Sequence, residues 1–160
     1  MKLQISRTQN YGEVIEKCYS SDQELLDKFH ILAPTTMGEA LVHTVSVFIN
    51  CATSGGYEMF KCEVDGNFAG YFGLEKAQIG DGTIQLLTGF FIMPEYRTRP
   101  FRYKFLRVIK GKFPENKILT LIYDKNQRAV KFFKRNGGKV ISVIEQEVNG
   151  NIEKINLTVI

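Results

Sequence analysis

Three arginines, Arg97, Arg99 and Arg102, stand within six residues, just after an apolar run stops at Pro94. A guanidinium offers a planar fork of N–H donors that matches phosphate and carboxylate geometry. These arginines belong to a segment of unusual charge. From Glu95 to Lys139 there are 14 basic residues against 3 acidic ones, a net of +11, while the remainder holds 7 against 14, a net of −7. The formal total of +4 therefore conceals a polarised chain, and the basic stretch 95–139 points to an anionic partner. A coenzyme, a nucleic acid and an acidic protein surface all fit that description.

Other chemistries find no footing. Cys18, Cys51 and Cys62 form no CxxC pair and no zinc spacing with His30 and His43. No Ser-His-Asp order and no Walker glycine loop is present. The odd cysteine count, and an N-terminal stretch MKLQISRTQN without an apolar core, point to a reduced, cytoplasmic setting. No apolar run approaches the ~20 residues needed to span a bilayer.

These side chains need a scaffold. The 160 residues are 44% hydrophobic and 24% charged, which suits a single globular domain over 1–160. Twelve Phe and seven Tyr exclude disorder, because such a chain has apolar mass to offset the entropy of ordering. A first strand is expected over 3–6. Helical spacing follows over 13–29, interrupted or re-capped at Ser20-Ser21-Asp22, and again over 37–50, where Leu41, Val45, Phe48 and Ile49 form a stripe. Strands over 57–64 and 68–77 flank Asp65-Gly66, a dipeptide suited to a tight hairpin. The almost wholly apolar run 84–93 reads as a buried central strand.

Pro100 stands where a helix can begin, and Phe101, Phe105, Val108 and Ile109 follow one face until Gly111 and Pro114. A short strand over 118–123 precedes a second helix over 126–136, which closes on Gly137. Two last strands, 139–148 and 152–160, meet at Asn149-Gly150. The expected order is β-α-α-β-β-β-α-β-α-β-β, an α+β arrangement with helices on both faces of a mixed sheet.

Two motifs within this order carry a resemblance. Ile92–Met93–Pro94–Glu95–Tyr96–Arg97 resembles the start of the acyl-CoA motif of the GNAT superfamily of N-acetyltransferases, and Asn126–Gln127–Arg128–Ala129 resembles its N-x-x-A helix. The resemblance implies acetyl-CoA as cosubstrate and an amine as acceptor, whether a small amine, a polyamine or a protein amine. Phe91, Ile92 and Met93 would align the pantetheine like an added strand. Arg97, Thr98, Arg99, Phe101 and Arg102 would surround the pyrophosphate, where a helix N-terminus turns free N–H groups toward an anion, and Asn126 would support the coenzyme from the later helix.

The chain departs from the family's Q/R-x-x-G-x-G/A loop. Its two glycine positions hold Pro100 and Arg102. Proline removes one N–H donor, and one lost charge-assisted hydrogen bond costs about 1.5–3 kcal/mol. The family's tyrosine acid matches Phe133, which has no proton to give. Tyr123, at the end of the preceding strand, is the alternative donor approaching the same space. Candidates for the base are Glu58, Glu63, Glu75 and His43, of which Glu75 is retained as the candidate.

The alternative is a non-catalytic module on the same fold, docking an acidic protein or nucleic acid through its basic face, within a larger assembly such as a virion. Direct nucleic-acid binding by the two basic helices is a weaker third reading, since Phe101, Phe105, Phe132 and Phe133 fit core positions and leave Tyr103 as the exposed-aromatic candidate. The closing strand 152–160 is the element expected to pair across a homodimer edge.

Overall fold

The computed structural model describes residues 2–22, 57–79, 81–112, 118–148 and 150–160. Its strands are β1 (Leu3–Thr8), β2 (Tyr57–Val64), β3 (Asn67–Ile79), β4 (Gly82–Ile92), β5 (Ile118–Tyr123), β6 (Lys139–Val148) and β7 (Asn151–Val159). The helices among the described residues are α1 (Tyr11–Ser21), α2 (Arg99–Lys112) and α3 (Gln127–Arg135), with one 3-10 turn over Pro94–Tyr96. The seven strands form one sheet in the order β1-β2-β3-β4-β5-β7-β6. Only β4 and β5 run parallel; every other neighbouring pair is antiparallel.

Local chemistry explains the element ends. Asn10 caps α1: its Oδ1 accepts from Glu13 N at 3.4 Å, and its Nδ2 donates to Glu13 Oε2 at 2.7 Å. Asn126 caps α3 by accepting from Ala129 N at 3.1 Å. That helix closes with Gly138 N donating to Phe133 O at 2.9 Å and Gly137 N to Lys134 O at 3.2 Å, while Gly137 takes φ +87°. This is the paired bonding of a Schellman cap, and it requires a left-handed residue. Asp65 and Gly66 both take positive φ in the β2–β3 turn, as that turn type demands.

Two cores lie on opposite faces of the sheet. On one face, Phe101, Phe105, Leu106 and Ile109 of α2 and Phe133 of α3 pack on Phe60, Phe72, Leu87, Ile118 and Ile122. On the other, Val14, Ile15 and Cys18 of α1 pack on Tyr57, Met59, Tyr71 and Phe91. Each fully buried aromatic or aliphatic side chain contributes about 1.5–3 kcal/mol of transfer free energy.

Several boundaries differ from expectation. The helix expected over 13–29 is described only to Ser21, and the one over 37–50 lies outside the described residues. Gly111 lies inside α2 and does not end it. The closing strand is not an edge: β7 is hydrogen-bonded to β5 on one side and β6 on the other, so it has no free ladder to offer a second copy. The edge belongs to β6. Among the described residues no helix is long and apolar enough to cross a membrane.

Candidate active site

The site begins where the parallel ladder stops. β4 and β5 pair only through Gln85–Ile118, Leu86–Leu119 and Leu87–Thr120. Both strands continue, β4 to Ile92 and β5 to Tyr123, without further pairing between them. The last bond across is a side-chain one: Thr120 Oγ1 donates to Leu87 O at 3.3 Å. Just beyond it the β3–β4 register shifts, since Gly73 pairs with Gly89 while Leu74 pairs with Leu87, leaving Thr88 as the extra residue of a bulge. A bulge bends its strand and increases the local twist. β4 thereby diverges from β5, and the two strands bound a wedge-shaped gap.

The backbone must come unusually close together here. A Cβ on Gly73 would lie 2.3 Å from the Tyr57 hydroxyl, and one on Gly89 would lie 2.8 Å from the Tyr71 ring. Gly70 holds φ +153°, and a Cβ there would lie 2.2 Å from Phe91 O. Gly73 of β3 and Gly89 of β4 thus leave room for the Tyr57 and Tyr71 rings, and Gly70 lets Phe91 O approach.

At the mouth of the gap, Met93 N donates to Ala69 O at 2.9 Å and holds the end of β4 on β3. The turn Pro94–Tyr96 leads into α2, whose first backbone bond runs from Arg102 N to Thr98 O at 3.1 Å. The N–H groups of Arg99 and Phe101 precede that bond and have no intrahelical acceptor, and Pro100 has no N–H. Two donors therefore remain at the helix end, where the macrodipole favours an anion.

The predicted site residues divide into two groups. Phe91, Ile92 and Met93 border the gap, with the first two side chains buried and the Met93 side chain packed against the α1 core. Thr98 and Arg99 are exposed at the start of α2. The Phe101 side chain is core, 2% exposed and stacked on Phe105, so only its backbone N–H faces the question of a ligand. The Arg102 guanidinium lies 6.0 Å from the Phe132 ring centroid, and its Nε is buried with no partner among the described residues. Asn126 uses its side chain to cap α3.

Arg97 has a structural task that its sequence position did not announce. Its Nε donates to Ile92 O at 2.8 Å, its Nη1 donates to Asp22 just after α1, and its guanidinium lies 5.2 Å from the Phe91 ring centroid. Its Nε and Nη1 therefore hold the chain, and the buried Nη2 is left without a partner among the described residues.

Tyr123 ends β5 opposite Ile155. Its hydroxyl is buried with no partner among the described residues. Burial, and then the charge of Glu153, raise its pKa above the ordinary phenol value, so the hydroxyl stays protonated at neutral pH. It does not share the space of Phe133. Strand alternation separates it from Ile118 and Ile122, which face α2 and α3, and turns it toward the α1 side. Phe133 is 4% exposed in the α2–α3 core.

Among the carboxylates, Glu58 pairs with Arg7 at 3.0 Å and Glu63 with Lys61 at 3.1 Å. Glu75 is half-buried between Tyr57 and Leu86 in the sheet and has no ion pair among the described residues. It lies one strand, about 5 Å, from β4. His43 lies outside the described residues. Among the described residues no His, Cys, Asp and Glu group of three or more can hold a metal ion.

A strand pair splayed at a bulge, followed by a helix N-terminus and a returning strand–helix unit, is a specific arrangement. The solved structure of an acetyl transferase from Salmonella typhimurium, which modifies an N-terminal serine of a 50S ribosomal subunit protein, is similar to this chain as a whole, with a TM-score of 0.74 at 12% identity, covering 100% of this chain and 95% of that one. The fold is that of the GNAT acetyltransferases. A spermidine N-acetyltransferase from Vibrio cholerae, solved with CoA and spermine, shares this GNAT fold with a TM-score of 0.71 at 14% identity, over 99% of this chain and 94% of that one. An acetyltransferase of the GNAT family from Streptococcus pneumoniae matches with a TM-score of 0.61 at 14% identity, over 99% and 100%. No protein-family model and no curated protein matches at the level of sequence.

Proposed function

We propose that this protein is an acetyl-CoA-dependent N-acetyltransferase. The observation that carries the reading is the end of the β4–β5 ladder at Leu87–Thr120 while both strands run on. An unpaired β4 edge is a template for a ligand that carries amide groups, as a pantetheine arm does. The N–H groups of Arg99 and Phe101 supply the anion end of the same site, supported by the side chains of Arg99 and Arg102.

Acetyl-CoA supplies the acyl group as a thioester, which an amine attacks directly; the C–N bond forms, the C–S bond breaks, and coenzyme A leaves as a thiol. The residues around the gap serve that exchange. The β4 edge donates to the acyl oxygen, where charge develops in the transition state. Glu75 accepts the amine's proton through a bridging water, as the one-strand offset from β4 requires. Tyr123, kept protonated by burial, gives a proton to the departing sulfur. The related folds act on a polyamine and on a protein N-terminus, so both acceptor classes are to be assayed.

The test is thiol release with acetyl-CoA and each acceptor class, beside calorimetry with acetyl-CoA at moderate salt. Turnover above the acceptor-free rate is expected. Coenzyme binding without turnover on either acceptor class would restrict the reading to a coenzyme-binding module. No binding at millimolar coenzyme would favour the second reading, a non-catalytic module on the same fold. The observation behind that second reading is Arg97, whose Nε and Nη1 are held by Ile92 O and Asp22.

A further inference from the structure

The coenzyme reading leaves most of the basic charge unused. α2 and α3 carry ten Lys and Arg residues and no Asp or Glu. Both helices lie on the same face of the sheet. Among the described residues no carboxylate pairs with Arg107 or Lys110 of α2, or with Arg128, Lys131, Lys134 or Arg135 of α3. Ten like charges on two adjacent helices repel one another, and a solvated surface gains nothing from that crowding.

The charge borders a groove. A depression of about 900 Å³ runs along α2, with Pro100, Tyr103, Leu106 and Gly111 among its lining and Lys104, Arg107 and Lys110 beside them. Asn136, after α3, forms part of the far wall. The residues recur at helical spacing, so they form one stripe. From Pro100 to Gly111 the stripe runs roughly 16 Å along the helix axis. It therefore starts beside the helix N-terminus, where the phosphates of a coenzyme would sit, and ends close to the other end of the helix.

We propose that this groove docks an acidic amphipathic segment of a partner protein. The lining sorts by chemistry into an apolar floor and a cationic rim. Carboxylates of the partner would meet Arg107 and Lys110, and its apolar side chains would rest on Tyr103 and Pro100. Three helical turns of partner match the length of the stripe. A single-stranded nucleic acid fits less well. It needs open aromatic faces for stacking, whereas the Tyr103 ring already meets the Arg99 guanidinium at 5.6 Å and the Phe132 ring at 6.4 Å. The inference goes beyond the acetyltransferase reading: the groove adjoins the proposed anion end at Pro100, but its rim residues Arg107 and Lys110 lie roughly two to three turns further along α2.

Fluorescence anisotropy tests it with three labelled probes: a 14-residue peptide with Glu and Leu at helical spacing, an oligoglutamate of equal charge, and a 15-residue single-stranded oligouridine. The amphipathic peptide is expected to bind at least tenfold more tightly than either other probe, and less tightly as salt rises. The double variant Arg107→Glu, Lys110→Glu should weaken it more than tenfold and leave acetyl-CoA binding unchanged. Tyr103→Ser, which keeps every charge, should weaken it about fivefold and serves if the double variant fails to fold. Equal binding of oligoglutamate would overturn the role of the floor. Preferred binding of oligouridine would reassign the groove to nucleic acid. Absence of binding by all three at low salt would end the proposal.

Discussion

Arg97 and Asp22 form an ion pair that joins the end of α1 to the turn after β4. Together with the bond from Arg97 Nε to Ile92 O, it fixes the mouth of the β4–β5 gap against a helix from the opposite face of the sheet. The side chains are only 19% and 20% exposed. Removing Asp22 leaves the largely buried Arg97 guanidinium without this counterion, and removing Arg97 takes this pair from Asp22. Arg97→Ala or Asp22→Ala should each cost about 2 kcal/mol, the cost of breaking a buried pair discounted for partial exposure. That corresponds to a fall in Tm of roughly 4–8 °C for a chain of this size. The double variant should cost little more than either single one, which a thermal-melt double-mutant cycle measures. Additive losses would mean that the two side chains act separately.

The glycines of the β3–β4 strip should tolerate substitution in a definite order. Gly70→Ala meets backbone at 2.2 Å in a left-handed conformation and has nothing flexible to displace. It should cost about 3 kcal/mol or more. Gly73→Ala meets the Tyr57 side chain instead, and pairing it with Tyr57→Leu should recover part of the loss. Chemical denaturation of the three variants checks the order.

Tyr123→Phe removes the hydroxyl and keeps the ring. It should lower kcat by about 100-fold, a typical share for a positioned general acid, with KM for acetyl-CoA nearly unchanged. The raised pKa also sets a sign for stability. The folded state holds the phenol proton more tightly than the unfolded chain, so this contribution is complete below the unfolded value of about 10 and is lost as pH rises above it. The stability difference between wild type and Tyr123→Phe should therefore shift against the wild type only above that pH.

Cys18 and Cys62 should be inert in the native state. Each thiol is buried, and burial raises its pKa far above the ordinary range, against a smaller opposing effect of Arg97 and Lys112 respectively. At pH 8, iodoacetamide should leave both unmodified in the folded protein and modify both in denaturant, as peptide mass mapping will show.

The elements were legible in the sequence wherever a local signal sufficed. Asp65-Gly66 and Asn149-Gly150 marked their hairpins, Pro100 marked the start of α2, and Gly137 marked the cap of α3. The splay was less visible. It depends on a one-residue bulge at Thr88 and on a hydrogen bond between Thr120 and Leu87, 33 residues apart, and no local pattern encodes either. The sheet position of β7 is hidden for the same reason: the return path that inserts it between β5 and β6 is a long-range property. Arg97 was legible as an anion ligand from its motif position, yet its partner Asp22 lies 75 residues away. Tyr103 was visible as an exposed ring on a basic helix, but the groove that joins it to Asn136 required two helices to be packed side by side.

Hydrogen exchange read by mass spectrometry, with and without acetyl-CoA, tests the coenzyme gap most directly. Ligand laid along the unpaired part of β4 should slow exchange over 89–93 and at 99–101 at the start of α2, and leave the β6–β7 hairpin unchanged. Acetyl-CoA at millimolar concentration that protects neither segment, or protects only residues outside the gap, would contradict the assignment of the β4–β5 splay as the coenzyme site.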